Sequence, residues 1–166
     1  MRFVTMTVLA ATAISGCVKK VETTLPFRAE QAAFIEAPGT NSITGQAFMR
    51  QAGGGVVTCA ANPVYLVPRT DYAVERMLNI YGKSENPGRQ LLGVIPDDPD
   101  PGYLRLSRDT ICDAEGDFEF FNVPDGEYFV TTGVFWMINQ YFQDGANLMH
   151  PIKVEAGETK SLLISP

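Results

Sequence analysis

The chain has 166 residues, enough for one ordinary domain and too few for two comfortable ones. Thirteen Lys and Arg against nineteen Asp and Glu leave a net charge of −6, which argues against a nucleic-acid partner and against a polybasic membrane patch. One histidine, and three cysteines with no Cys-x-x-Cys spacing, leave little for a zinc site.

The first residues are set aside before any fold reasoning. Met1-Arg2 is a minimal basic start, Phe3 to Ile14 is an apolar run of twelve, and Ser15-Gly16-Cys17 closes it. That run is well short of the ~20 apolar residues a spanning helix needs. An apolar segment ending in small residues directly before a cysteine resembles the lipobox of bacterial lipoprotein signal peptides. The resemblance implies removal of residues 1–16, a diacylglycerol on the Cys17 thiol and a fatty acyl group such as palmitate on the new amino group. Each buried methylene contributes about 0.8 kcal/mol, so two or three acyl chains hold a protein firmly to a membrane. The mature chain would have 150 residues, and loss of Arg2 would take the charge from −6 to −7. Val18 rather than Asp follows the cysteine, which in lipoproteins of this kind implies the outer membrane, facing the periplasm.

With Cys17 lipidated, Cys59 and Cys112 remain as an even pair in an oxidising compartment, and a disulfide is expected over free thiols or a metal pair. The bridge would close a loop of 54 residues, for which chain entropy gives about 4 kcal/mol. Residues 18–25 are polar and mixed, and are expected to be a tether lifting the domain off the bilayer. Phe27 to Ala37 reads as a short helix or an irregular edge strand. Pro38-Gly39-Thr40-Asn41-Ser42 is a turn cluster, so the tether and N-terminal segment occupy 17–41 and the domain proper 42–166.

Ser42 to Met49 alternates as a strand, and Val64 to Val67, flanked by prolines, is a second with Val64 and Leu66 on one face. Asp71 to Tyr81 is the helix candidate, capped by Thr70 or Asp71, with Val74, Met77, Leu78 and Tyr81 at helical spacing. Residues 82–101 are broken by glycine and proline into a long loop. Gly102 to Arg108 alternates like a strand. From Cys112 to Trp136 two arms flank Asn122-Val123-Pro124-Asp125-Gly126, and Asp-Gly between alternating arms is the strongest short hairpin signal. Tyr128, Val130, Thr132, Val134 and Trp136 would line one face of the second arm, and Phe129, Thr131, Gly133 and Phe135 the other. A second hairpin, Ile152 to Val154 with Thr159 to Ile164, would close a mainly β sandwich.

The motif Asp113-x-x-Gly116-x-Phe118-x-Phe120, followed by Val123-Pro124-x-Gly126-x-Tyr128, resembles the carboxypeptidase regulatory-like domain. Ile43-Thr44-Gly45, Val64-Tyr65-Leu66-Val67-Pro68 and the spacing of Val154, Gly157 and Ile164 extend that resemblance over roughly residues 42–165. It implies a seven-stranded, transthyretin-like (prealbumin-like) Greek-key sandwich, here with one short helix and a long mid-domain loop. The family's simplest members connect the middle strands briefly, whereas about 35 residues (69 to 103) intervene in this chain. The shared motifs are turn chemistry, and they speak to fold far more than to activity.

No nucleophile–base motif stands out, so no catalytic residue, cofactor or metal is expected. Gly82-Lys83-Ser84 lacks the upstream glycine of a phosphate loop, because position 77 is Met77. Asp113, Glu115 and Asp117 miss calcium-loop spacing, and Asp97, Asp98 and Asp100 read as a solvated acidic loop. His150 stands alone. Two functions from different classes remain: a lipid-anchored module that docks on an envelope protein, with Tyr141 and Phe142 as the candidate partner surface, or a carbohydrate-binding module using Trp136, Tyr141, Phe142 and Tyr103.

Overall fold

The computed structural model describes residues 18–166; Cys17 and the segment 1–16 lie outside the described residues. In chain order the elements are β1 (Lys19–Val21), α1 (Ala29–Ala32) running into a 3-10 turn (Ala33–Glu36), β2 (Asn41–Arg50), β3 (Val56–Thr58), β4 (Pro63–Pro68), α2 (Asp71–Tyr81), β5 (Gly88–Arg89), β6 (Val94–Pro96), α3 (Pro101–Arg105), β7 (Arg108–Ile111), β8 (Asp117–Val123), β9 (Gly126–Met137), β10 (Gln143–Val154) and β11 (Thr159–Ile164). The protein is mainly β, with several sheets and a few short helices. Eleven strands lie among the described residues, against the seven expected.

One sheet has the order β5-β10-β9-β4-β7 and is antiparallel throughout. The facing sheet is built on β2, which pairs β11 in parallel and both β8 and β3 antiparallel. Period-two alternation on both sheets fills the space between them. Ile43, Phe118, Phe120 and Ile164 from one side meet Leu66, Tyr128, Val130, Leu148 and Val154 from the other, all buried. The Cys59–Cys112 disulfide sits in this core with its Cα atoms 5.8 Å apart, as expected from the cysteine count.

Both predicted hairpins are corrected. β8 pairs β2 while β9 pairs β4 and β10, so the Asp125-Gly126 connection crosses from one sheet to the other. The corner is held by local polar contacts: the Tyr128 hydroxyl donates to the Pro124 carbonyl at 2.9 Å, and the buried Asn41 amide donates to the Val123 carbonyl at 2.9 Å and to Asp125 Oδ1 at 2.8 Å. β10 and β11 likewise belong to different sheets. The true hairpin is β9–β10, twelve paired residues from Gly126–Val154 to Met137–Gln143.

The segment read as a loop is a third layer. α2 has the bounds the periodicity predicts, with Thr70 Oγ1 accepting from the Ala73 N–H at 3.1 Å and Gly82 ending it at φ 69°, a left-handed conformation that glycine takes without Cβ strain. Its buried stripe is rotated from the expected one. Ala73, Met77 and Ile80 face inward while Leu78 is exposed. This stripe, with Tyr72, Tyr81 and Tyr103, covers the outward-facing Val67, Phe129 and Met149 of the five-stranded sheet as a second apolar core. Gly102 to Arg108, expected as a strand, begins as helix α3. Asp100 caps it by accepting from the Gly102 N–H at 2.7 Å and Pro101 occupies the first turn, a start signal that outweighs five residues of alternation.

The predicted tether is also part of the domain. β1 pairs in parallel with β6, and Thr23, Thr24 and Leu25 hydrogen-bond to Asp97 and Glu75. Hydrogen bonds from the Leu25 N–H and from Thr24 hold the Glu75 carboxyl below its ordinary value. Burial pushes the Asp97 carboxyl up, but the Thr23 N–H and Arg76 more than offset that and hold it low. For a depressed carboxylate the linked stability is present above the unfolded-state value, about pH 4, and is lost as pH falls through the lower folded value. Residues 23–25 are therefore expected to detach from α2 at acid pH before the sandwich core opens. Hydrogen exchange of the Thr23–Leu25 amides against pH checks this; protection that persists unchanged below pH ~3 would disprove it.

Candidate functional site

Between the helical layer and the outer face of the five-stranded sheet lies a pocket of about 380 Å³. Its floor follows from strand register. The positions of β9 that face away from the sandwich core are Phe129, Thr131, Gly133 and Phe135. Tyr65 of β4 lies opposite Thr131, and Asn147 of β10 lies opposite Gly133. Phe129 is covered by the helical layer, while Thr131, Gly133 and Phe135 continue the floor beyond that cover. Gly133 lets the Phe135 ring lie close over the strand, since a Cβ there would come within 2.4 Å of that ring and displace it.

The rim and far wall come from the insertion. Gln90 follows β5, its N–H donating to the Asn147 carbonyl at 2.9 Å. The Asn147 side-chain amide donates to Gln90 Oε1 at 2.6 Å, and Gln90 Nε2 donates to the Val94 carbonyl at 2.9 Å. The two amides are thus oriented by each other. That leaves the second Asn147 N–H and its Oδ1 for a ligand. Tyr81 and Tyr103 line the same pocket, and their hydroxyls have no hydrogen-bond partner among the described residues. Burial drives both phenols above their ordinary range, so they stay protonated as hydrogen-bonding groups at any physiological pH.

The one cation in the wall is already neutralised. Arg76 donates to Asp97 Oδ1 at 2.6 Å and to the Asp97 carbonyl at 2.8 Å, and its guanidinium lies 6.0 Å from the Tyr103 ring centre. The pocket therefore offers amides, hydroxyls and the aromatic faces of Tyr65 and Phe135, with no free charge. Such a surface suits an uncharged, hydroxyl-bearing ring and disfavours an anion or a metal. A groove of about 900 Å³ along residues 24–28 and 69–78 is larger, but it is shallow and crossed by the Thr24–Glu75 contacts.

The four aromatics expected to stack on a sugar are not brought together. Tyr103 lies in the pocket, Trp136 is half-buried against the sandwich core, and Tyr141 and Phe142 sit at the β9–β10 tip, 78% and 65% exposed. Asn139 Oδ1 accepts from both of their N–H groups and shapes that tip. Tyr65, Gln90, Phe135 and Asn147 were not anticipated. The available signal was the period-two set Phe129-Thr131-Gly133-Phe135, outward-facing yet carrying aromatics around a glycine. Asp97 and Asp100 are occupied by Arg76 and by the α3 cap, and no group of three or more metal-ligating side chains gathers among the described residues. His150 Nδ1 lies 2.8 Å from the Pro151 carbonyl, outside the pocket.

No family model matches this chain, and no curated protein matches it. Among solved structures it is similar to the crystal structure of a Pseudomonas aeruginosa protein proposed to bind carbohydrate, with a TM-score of 0.71 and 20% sequence identity. The similarity covers 86% of this chain and the whole of that one, and it establishes a shared fold.

Proposed function

We propose that this chain is a non-catalytic, lipid-anchored module of the bacterial cell envelope that binds a neutral carbohydrate in the pocket between its helical layer and its five-stranded sheet. The observation carrying this reading is the pocket itself: paired amides of Gln90 and Asn147, phenols of Tyr81 and Tyr103, the rings of Tyr65 and Phe135, and a cation cancelled by Asp97. The fold shared with a protein proposed to bind carbohydrate is consistent with it. Anchoring through Cys17 to the outer membrane, facing the periplasm, rests on the lipobox. Assignment of the two-sheet part to the carboxypeptidase regulatory-like, transthyretin-type Greek-key sandwich rests on the turn motifs around Gly116 and Gly126.

Calorimetric titration against a panel of neutral oligosaccharides tests the pocket. Asn147→Ala or Tyr65→Ala is expected to weaken binding about tenfold, the equivalent of one lost hydrogen bond or stacking contact of about 1.4 kcal/mol. Gly133→Val, which fills the floor, should abolish it. A wild-type chain that binds no sugar of the panel, or variants that bind as well as wild type, would end the reading. The second reading, docking on an envelope protein through Tyr141 and Phe142, is favoured by the exposure of both rings.

A further inference from the structure

The chain leaves the described structure at a defined place. Lys19 donates its N–H to the Gly93 carbonyl at 2.8 Å and begins β1, so only Val18 separates Cys17 from the first fixed residue. Two residues of extended chain reach about 7 Å. If Cys17 carries lipid, the surface around Gly93 is therefore held at the bilayer with no spacer. That surface is apolar. Leu92 is 99% exposed, beside Val18, Leu91 and Ile95, which are exposed as well.

Strand register brings a second apolar group to the same end. β5 is antiparallel to β10, with Arg89 opposite Leu148 and Gln90 bonded to Asn147, so residues 91 and 92 run on toward Gly145 and the β9–β10 tip. Leu92, Phe135 and Gly145 line one shared depression. Just beyond them the tip exposes Met137, Ile138, Tyr141 and Phe142. Exposed Lys19 and Lys20 flank the chain exit, and Asp144, the acid at the base of the tip, accepts from the Gly145 N–H at 2.7 Å.

We propose that this end of the domain lies directly on the bilayer, with Leu92, Ile138, Tyr141 and Phe142 at the headgroup–acyl boundary and Lys19 and Lys20 toward lipid phosphates. Apolar side chains with an aromatic hydroxyl and neighbouring lysines are what a membrane interface accommodates. A face tethered within ~7 Å of an inserted lipid meets that membrane at an effective concentration no diffusing protein partner matches. The proposal rests on the lipid-anchor reading of Cys17 and is independent of what the pocket binds. The opposite end, at Glu155, is roughly 40 Å away, twelve residues along β10 at about 3.3 Å each.

The test uses the full, natively processed protein in phosphatidylethanolamine–phosphatidylglycerol vesicles. An environment-sensitive fluorophore is placed at Leu92→Cys, Tyr141→Cys or, as control, Glu155→Cys, and lipids spin-labelled near the headgroup act as quencher. Quenching several-fold stronger at positions 92 and 141 than at 155 is expected. Equal quenching at all three, with the acyl mass on Cys17 present, would overturn the seating and leave the anchor intact. Absence of the acyl mass would end both. Shielding of positions 92 and 141 in native envelopes but not in pure lipid would assign the face to a protein and overturn the proposal.

Discussion

Breaking the Cys59–Cys112 bridge is expected to destabilise the protein by about 4 kcal/mol. The two cysteines are 53 residues apart in sequence, and the loop they close contains β4, the whole helical layer and β7. The entropy the unfolded chain gains on losing the bridge grows with the logarithm of that loop's length. The bridge is also flanked by reciprocal backbone bonds, Ala61 N–H to the Cys112 carbonyl and Cys112 N–H to the Asn62 carbonyl, both 3.1 Å. These hold the two strands in register without the bond, so reduction should loosen the unfolded ensemble more than it distorts the native one. Non-reducing peptide mapping is expected to recover the Cys59–Cys112 crosslink, and reduction to lower the melting temperature by roughly 10–15 °C. Quantitative alkylation of both thiols without denaturant, or an unchanged midpoint after reduction, would contradict this.

Phe129→Ala should cost about 3–5 kcal/mol, as removal of a fully buried aromatic does. Phe129 has no exposed surface, lies in the outer core with Val67, Met77 and Met149, and has the Arg69 guanidinium 5.5 Å from its ring centre. Its loss leaves a cavity under α2 rather than between the sheets. The helical layer and the pocket wall it carries should therefore loosen first, with amides of α2 exchanging faster than those of β2 and β8. Phe135→Ala serves as the comparison: that ring is 37% exposed and lies over Gly133, so its removal should reduce ligand affinity with a much smaller loss of stability. Equal destabilisation by the two variants, measured by denaturant unfolding, would show that the layer is not organised around Phe129.

Local chemistry was legible in the sequence wherever the cause is itself local. Thr70 and Gly82 bound α2 through cap interactions made within one turn. Period-two alternation identified the inward faces of β2, β4, β8 and β9, and the even cysteine pair identified the bridge. Partnering was not legible. Alternation records that one face of a strand is buried, and it reads the same whether the next strand lies beside it or across the core from it. Phe118 and Phe120 of β8 and Tyr128 and Val130 of β9 fit a hairpin and a sandwich corner equally well. The corner is tied to β2 by the buried amide of Asn41, 82 and 84 residues from its partners Val123 and Asp125.

The sequence by itself determined a mainly β domain with one capped helix, a disulfide and an acidic surface, because each follows from composition or from contacts a few residues long. Tertiary structure alone decided the third layer and the pocket. The insertion folds back because Ala73, Met77 and Ile80 find Val67, Phe129 and Met149 uncovered on the outer sheet face, a match between residues up to 76 positions apart (73 to 149). Asn147 and Gln90 become a paired recognition group only when β5 adds to the edge of β10. That edge pairing depends on where the whole insertion lands, which no local pattern encodes.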